Sequence, residues 1–410
     1  MSDYPPHIEA LRVAALAVSV ESYAIRARWS LTPGIERTGA CPVCGGKDRF
    51  SINTKKNVWN CRGCEKGGKD AISLAMHMES LAFITALERI TGRSADETRT
   101  ENPAQRDERE KRLVQDRARA EEKEKQRAKD AEVFRLRARK AGYKTYNEAS
   151  IQPWSSVDPV ANYLVARGIN LDRLLSVSER GRKLHLRQYL SLKYMHRIEE
   201  NGEKRWKVIS RGPAMIAGVT LPGNRFGAVH QTWLNLYARP NFKARLTHPN
   251  ETDEDGVPLE LPSKKVLGTK KGGAILLYTP PNPRRLVAGE GIETTLTVMS
   301  RSFEPDTAYW CLVDLGNMAG RAMRGADGRM IPDMPDPDDV DAFVPPEWVQ
   351  EMIYLGDSDA KTEIDLKKTR DALTRGCRRA MAARPGLKAS IAMADRGSDF
   401  NDMGRGGTVE

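Results

Sequence analysis

The 410-residue chain contains no apolar run approaching the roughly 20 residues needed to cross a bilayer as a helix. Its N-terminus, "MSDYPPHIEALRVAALAVSVESYAIRA", has an acid and a histidine where a secretory signal needs basic residues. Its apolar positions recur at helical spacing, so an ordinary cytoplasmic amphipathic helix is expected and no membrane partner. A nucleotide-binding P-loop is also missing. "GCEKGGKD" places Gly63 and Gly68 five apart with a lysine after the second, but Asp70 stands where a magnesium-holding Ser or Thr is required. The six histidines show no ligand spacing, and no repeat period is visible. Cysteine is sparse, at six residues, and unevenly placed: Cys41, Cys44, Cys61 and Cys64 share one short window, whereas Cys311 and Cys377 stand alone in apolar surroundings and read as buried free thiols.

What is present is positive charge. The net charge of +11 suits a polyanionic partner, and nucleic acid is the usual one. From Ala104 to Ala141 there is neither Gly nor Pro, and Ala, Glu, Lys, Arg and Gln dominate. Such composition favours helix through propensity and interleaved opposite charges, yet has too few apolar residues for a core or a heptad seam. A solvated helical spacer is predicted, on the order of 50 Å long at roughly 1.5 Å per residue, with disorder the alternative. The chain divides accordingly into an N-terminal helical segment (1–35), a cysteine module (36–95), a charged linker (96–142) and a large body (143–410).

The cysteine window reads C-x2-C, sixteen residues, C-x2-C. Each C-x-x-C turn sets two thiolates on one side of a knuckle, and two knuckles close a tetrahedral shell around structural zinc. "RFSIN" and "NVWNC" between them predict a hairpin turning at "TKK". Because Cys64 is itself a ligand, "GCEKGGKD" becomes the exit from the second knuckle into a helix at "DAISLAMHM", with Asp70 near its start. Lys47, Arg49, Lys55, Lys56 and Arg62 are candidates for phosphate contact. Trp59 and Phe50 are read as core rather than as stacking faces.

In the body, "RRLVAG", "AYWCLV", "EMIYLG" and "KASIAMA" predict short buried strands alternating with helices, the pattern of a parallel α/β sheet. A long helix is expected over about 362–383, with Leu366, Leu373, Cys377 and Met381 on one face. "GADGRMIPDMPDPDDVDAFVPP" reads as a surface insertion. Acids follow three of the strands: Glu290 in "LVAGEGIETTLTV", Asp357 and Asp359 in "MIYLGDSDA", Asp399 and Asp402 in "IAMADRGSDFNDM". Carboxyl ends of parallel strands border the ligand crevice of such sheets. Two carboxylates about 4 Å apart repel by roughly 1 kcal/mol in water and about 4 at an effective dielectric near 20. Divalent magnesium, which prefers hard oxygen ligands, removes that conflict.

"GEGIET", "GDSDA" and "SDFND" resemble the three acidic motifs of the Toprim fold shared by bacterial-type primases and topoisomerases. The four-cysteine ribbon resembles the zinc-binding domain preceding Toprim in those primases, and the order is that of phage and plasmid primases. The resemblance implies a Toprim catalytic domain (281–410) preceded by a basic α+β subdomain (143–280), to which "AMIAGVTLPGNRFGAVHQTWLN", "FKARL" and "SKKVLGTKKGGAILL" are similar. It implies a DNA primase making primers on single-stranded template from nucleoside triphosphates. Glu290 would be metal ligand or general base, Asp357 and Asp359 the magnesium pair, and Asp399 and Asp402 the third motif. Lys243, Lys264, Lys265, Lys270 and Lys271 would contact triphosphate or template. Unwinding would fall to a separate helicase. Two departures stand out: Thr294 occupies the place of a family aspartate, with Glu293 beside it, and "AKTEI" replaces a small Ala-Gly step after the D-x-D. A Toprim nuclease, a topoisomerase-like enzyme and a non-catalytic DNA-binding protein are the rival readings.

Overall fold

The computed structural model describes residues 4–95, 103–151, 154–179, 184–200, 202–325 and 328–404. The chain forms two compact units, Met1–Ala131 and Glu132–Glu410. Among the described residues no single helix is long and apolar enough to cross a membrane.

The first unit begins with α1 (Pro6–Leu16) and α2 (Val20–Arg26). The single N-terminal helix expected from sequence is thus two. Ser19 holds extended backbone and its hydroxyl accepts the Ser22 N–H at 3.0 Å, capping a fresh helix instead of continuing the old one. An antiparallel meander follows: β1 (Glu36–Cys41), β2 (Gly45–Asn53), β3 (Val58–Cys61) and β4 (Lys66–Gly68). Alternation along β2 buries Phe50 and Ile52 and leaves Lys47 and Arg49 exposed. The meander is closed by α3 (Ala71–Met78) and α4 (Phe83–Thr91). The Asp70 carboxylate caps α3 by accepting the Ser73 N–H at 2.7 Å. Leu11, Val20, Tyr23, Phe50, Ile52, Trp59, Leu74 and Leu87 belong to one core, so helices that the sequence set apart from the ribbon pack with it. Trp59 is buried and donates to Ser73 Oγ at 3.0 Å, a core residue as expected.

The charged segment is helical. α5 (Pro103–Glu148) runs 46 residues, about 70 Å at roughly 1.5 Å per residue; positions 96–102 of the expected linker lie outside the described residues. Its last turns pack within the second unit. Tyr143 and Tyr146 lie against Phe226 with ring centroids at 5.2 and 5.6 Å, and the Arg187 guanidinium sits 3.9 Å above the Tyr146 ring. A Cβ at Gly142 would fall 2.6 Å from the Leu267 carbonyl oxygen, so this close approach needs glycine.

The second unit opens with β5 (Ser150–Ile151), α6 (Pro159–Ala166) and α7 (Leu171–Val177), then a long hairpin of β6 (Leu186–Glu200) and β7 (Glu203–Leu221). β8 (Arg225–Trp233), a small hairpin of β9 (Leu246–Thr252) and β10 (Pro258–Leu261), and β11 (Lys264–Gly268) follow. These build an antiparallel sheet in the order β11-β8-β7-β6-β5.

The remainder is the predicted α/β alternation: β12 (Ile275–Tyr278), β13 (Arg285–Gly289), α8 (Ile292–Arg301), β14 (Thr307–Cys311), α9 (Leu315–Ala319), a hairpin of β15 (Ala322–Arg324) and β16 (Met330–Pro335), β17 (Glu351–Gly356), α10 (Glu363–Ala383), β18 (Lys388–Met393) and α11 (Phe400–Gly404). The sheet order is β12-β14-β13-β17-β18, parallel except for the β12 edge. Each residue of β14 is buried, as befits a strand covered on both faces. Connections leave β13 in one direction toward β14 and return past it to β17. The crevice of an open parallel sheet forms at such a reversal. Both sheets contribute to one core, in which Tyr163, Leu164, Met215 and Ala217 join Leu296, Tyr309 and Leu355.

Two expectations change in detail. Leu366, Leu373 and Cys377 of α10 are buried, but Met381 is 41 % exposed; the buried stripe closes instead through Ala372, Gly376 and Ala380. The Asp-rich insertion, in its described part, lies on α10, where Arg378 pairs with Asp333 at 2.5 Å and Arg379 donates to the Asp339 carbonyl.

Candidate active site and metal centre

In the first unit each C-x-x-C occupies a hairpin turn: Cys41 pairs with Gly45 across β1–β2, and Cys61 with Lys66 across β3–β4. The four sulfurs lie within 4.8 Å of one another. A tetrahedron with metal–sulfur bonds of about 2.3 Å has sulfur–sulfur edges of about 3.8 Å. Cys41 to Cys64 measures 3.9 Å and Cys44 to Cys61 3.5 Å, so the cysteines fit a structural zinc ion with no open position. A Cβ at Gly63 would stand 2.6 Å from Cys44 Sγ, which explains glycine between the second pair. His77 lies just outside the shell, with Nε2 3.9 Å from Cys41 Sγ and its ring stacked on Trp59 at 4.8 Å. Lys47, Arg49, Lys55, Lys56 and Arg62 are all exposed; Arg62 pairs with Asp48 at 2.9 Å.

In the second unit, β13 and β17 run side by side with Ala288 opposite Tyr354, so Glu290 and Asp357 leave neighbouring strand ends. Both line one cavity of about 360 Å³, together with Asp359 and Asp399. Asp399 starts α11, its carboxylate accepting the Asp402 N–H at 2.5 Å. Asp402 is not among the lining residues, which separates it from the other acids singled out by sequence. The carboxylates share the cavity without closing into a tight shell: among the described residues only the four cysteines form a metal-type cluster within 4.8 Å. Their proximity nonetheless registers. Burial first, and then the charge of Asp399, push the Asp357 carboxyl up to about 6. It accepts from Thr294 Oγ1 at 3.4 Å and from the Phe400 N–H at 3.5 Å. Burial and Asp314 also raise Glu290, while the Leu315 N–H, donating to its carboxylate, opposes them.

That N–H is delivered by a turn the sequence did not announce. Val313 adopts a φ of 74°, a costly conformation for a β-branched residue, and the Asp314 N–H closes a three-residue turn onto the Leu312 carbonyl at 2.9 Å. Asp314 then caps α9 by accepting the Asn317 N–H at 2.8 Å. Val313 and Leu315 both line the cavity.

Arg167, His230, Lys243 and Lys264 supply basic groups to the same cavity. Between the two lysines lies Glu293, fully buried, which accepts from Tyr163 Oη at 2.5 Å, Lys264 Nζ at 3.1 Å and Lys243 Nζ at 3.4 Å. Burial alone would raise this carboxyl, but Lys264 and Lys243 hold it well below the usual range. Lys264 is raised because Glu293 outweighs burial; Lys243 is drawn down by burial to about 8. His230 is kept neutral by burial and by Lys264, with a pKa of about 3, and its Nδ1 has no partner among the described residues. The Arg167 guanidinium donates to Asn241 at 2.9 Å and lies 3.9 Å from Asp399.

The other lysines singled out by sequence go elsewhere. Lys265 is sent by strand alternation to the opposite face of β11, 3.7 Å above the Tyr194 ring, and donates to the Met195 carbonyl at 2.6 Å. Lys270 pairs with Asp314, and the exposed Lys271 with Asp341 at 3.7 Å. Sequence reasoning passed over Arg167, Glu293 and Val313. Only Glu293 left a trace, as the acid beside the unexpected Thr294.

The molecule is a mixed α/β protein with an N-terminal four-cysteine zinc site followed by helices and sheets. Residues 36–72 match a family model described as the zinc-binding domain of primase-helicase, and residues 137–277 match a domain of unknown function, DUF7146. No curated protein matches. The fold is similar to a DNA primase domain from Pseudomonas aeruginosa (10 % identity, 66 % of this chain and 74 % of that one, TM-score 0.36). It is also similar to the primase fragment of the bacteriophage T7 primase-helicase protein (11 %, 91 % and 93 %, TM-score 0.27). A third similar structure is the RNA polymerase domain of the Mycobacterium tuberculosis primase (14 %, 66 % and 79 %, TM-score 0.26).

Proposed function

We propose that this protein is a DNA primase, joining nucleotides on a single-stranded DNA template by magnesium-dependent nucleotidyl transfer within a Toprim-type sheet. One observation carries the reading. Acids from neighbouring parallel strand ends share a cavity with Arg167, Lys243 and Lys264, an arrangement suited to a cation and a triphosphate together. The match of residues 36–72 to a primase-helicase zinc-binding domain supports it independently.

The donor set suits magnesium: the ligands are hard oxygens, and the raised Asp357 and Glu290 carboxyls are what acids become when burial, and then neighbouring acids, act on them without a counter-ion. Glu290, Asp357 and Asp359 would hold the ion, with Asp399 beside them. Bound there, it would offset charge on the α-phosphate and leaving pyrophosphate and favour ionisation of the attacking 3′-hydroxyl. Lys243, Lys264 and Arg167 bind and orient the anionic triphosphate, and the Glu293 carboxylate keeps the two lysines charged and in place. A Glu290 oxygen not taken by the ion would accept the hydroxyl proton. The exposed basic residues of the zinc ribbon contact template phosphates, and a separate helicase opens the duplex.

The test is primer synthesis on single-stranded templates with ribo- and deoxyribonucleotides compared. Wild type extends primers in magnesium, and Asp357→Ala abolishes synthesis without unfolding. Full synthesis by Asp357→Ala removes the assignment. Degradation of labelled DNA in magnesium without nucleotides, and no synthesis with them, replaces it with a nuclease.

A further inference from the structure

The β6–β7 hairpin carries a surface that the cavity chemistry does not use. Cross-strand partners project to one face of an antiparallel pair, and here the register sets Lys193 opposite Arg211, Met195 opposite Val208, Arg197 opposite Trp206 and Glu199 opposite Lys204. At the intervening positions of β6, Tyr194 and Ile198 are almost fully buried against the other face. The outward rows therefore form a strip with four cations, one carboxylate and an apolar centre. Trp206 is 65 % exposed and Val208 39 %. An indole left this open has no role in the core, whereas Trp233 and Tyr194 of the same sheet are buried.

Three of the four cations around it are uncommitted. Lys204 meets Glu199 at 3.7 Å, but Lys193, Arg197 and Arg211 pair with no carboxylate among the described residues. The inner rows of the hairpin are neutralised instead, Arg205 by Glu203 at 2.5 Å and Lys207 by Glu200 at 3.0 Å. Charge is thus left free on the face that bears the tryptophan. Followed through the two bulges of the ladder, that face is the side of the sheet that carries Met215, Ala217, His230 and Lys264, the last two lining the acid cavity.

We propose that this strip binds single-stranded DNA, with a base stacked on Trp206 and successive phosphates on Arg197, Arg211 and Lys193. Bases of any identity offer a stacking face, and free guanidinium and ammonium groups beside an exposed indole are the recurring composition of sequence-tolerant single-strand sites. A duplex keeps its base faces stacked and offers none to the indole. This deepens the primase reading by giving the template a second holding point on the same face as the cavity.

The experiment is fluorescence anisotropy of labelled oligothymidine with the zinc-loaded full chain in buffer without magnesium or nucleotides, so that binding is read without catalysis. Trp206→Ala is expected to weaken binding about 5- to 100-fold, Trp206→Phe to restore most of it, and Arg197→Glu with Arg211→Glu to flatten the dependence of log affinity on log salt by about one or more. Thermal melts of these exposed-site variants should match wild type. Arg205→Ala, on the other face of the hairpin and paired with Glu203, serves as the internal control and should bind like wild type. The proposal is overturned by wild-type affinity in Trp206→Ala, by equal losses in Trp206→Ala and Trp206→Phe, or by no binding of the wild type at all. The two readings separate cleanly. Weakened binding by Trp206→Ala in a chain that makes no primers keeps the strip and removes the polymerase; primer synthesis with unaltered binding does the reverse.

Discussion

Asp357→Asn should make the second unit more stable at neutral pH while removing the proposed primer synthesis. An aspartate in the unfolded chain titrates near its ordinary value of 3.8, whereas Asp357 in the fold titrates at about 6. A carboxyl that holds its proton more tightly when folded favours the fold in acid. As pH rises through the interval between 3.8 and about 6 that advantage is lost, and above it the buried charge is a constant cost. At about 1.36 kcal/mol per pH unit the cost is roughly 2–3 kcal/mol. Asparagine cannot ionise; its one side-chain oxygen keeps one of the two long bonds, from Thr294 or from Phe400, which reach different oxygens of the aspartate. A unit of this size shifts its midpoint by about 2–4 °C per kcal/mol, so melts at pH 8 should show a gain of roughly 4–12 °C, shrinking to a small fraction at pH 4. Magnesium should act in the opposite sense: at ten times its dissociation constant it stabilises wild type by about 1.4 kcal/mol and the Asn variant much less. A variant melting at or below wild type at pH 8, or responding equally to magnesium, refutes the idea that the carboxylates are crowded and await a cation.

Two further outcomes follow from the same geometry. Cys61→Ser should lose the bound zinc, measured as metal content per chain, and with it the folded first unit, since metal in such modules supplies about 10–16 kcal/mol; the melting transition of the second unit should persist. Glu293→Ala should cost about 3–5 kcal/mol in urea melts, because Lys243 and Lys264 lose their buried counter-ion. That loss is present at neutral pH and fades as pH falls below the ordinary carboxylate range, since a carboxyl held low contributes only while ionised.

What the sequence disclosed depended on how local the signal was. The zinc shell is written in 24 consecutive residues, and each cysteine pair sits on one turn, so spacing alone reports it. The strand-end acids were legible because parallel strands covered on both faces are short apolar runs and the acids follow directly. Strand order carries no local mark; it is the pairing of β13 with β17 that brings Glu290 beside Asp357. Lys264 and Lys265 show the limit most plainly. Alternation guarantees that they part, but which one enters the cavity is decided by the face β8 and α8 cover, and that is tertiary information. The break at Ser19 and the exposed Met381 are errors of the same kind, where a periodic pattern outran what caps and packing allowed.

Thr294 and Glu293 bring these strands together. The resemblance leads one to expect an acid at 294, and the chain offers it one residue earlier. On a helix, one residue is a rotation of about 100°. At the start of α8 that rotation separates the two sets of charges lining the cavity. Thr294 reaches Asp357 and donates to it, adding a neutral hydroxyl where a further carboxylate would have added repulsion. Glu293 turns instead to Lys243, Lys264 and Tyr163 and is fully buried among them. The single-residue displacement therefore removes negative charge from the acids and places it behind the lysines, which come from the antiparallel sheet and its loops. The lysines gain a permanent counter-ion that holds them charged in a buried position, and the two sheets gain an ionic tie. The cavity therefore presents lysines already oriented and one carboxylate fewer than the resemblance leads one to expect.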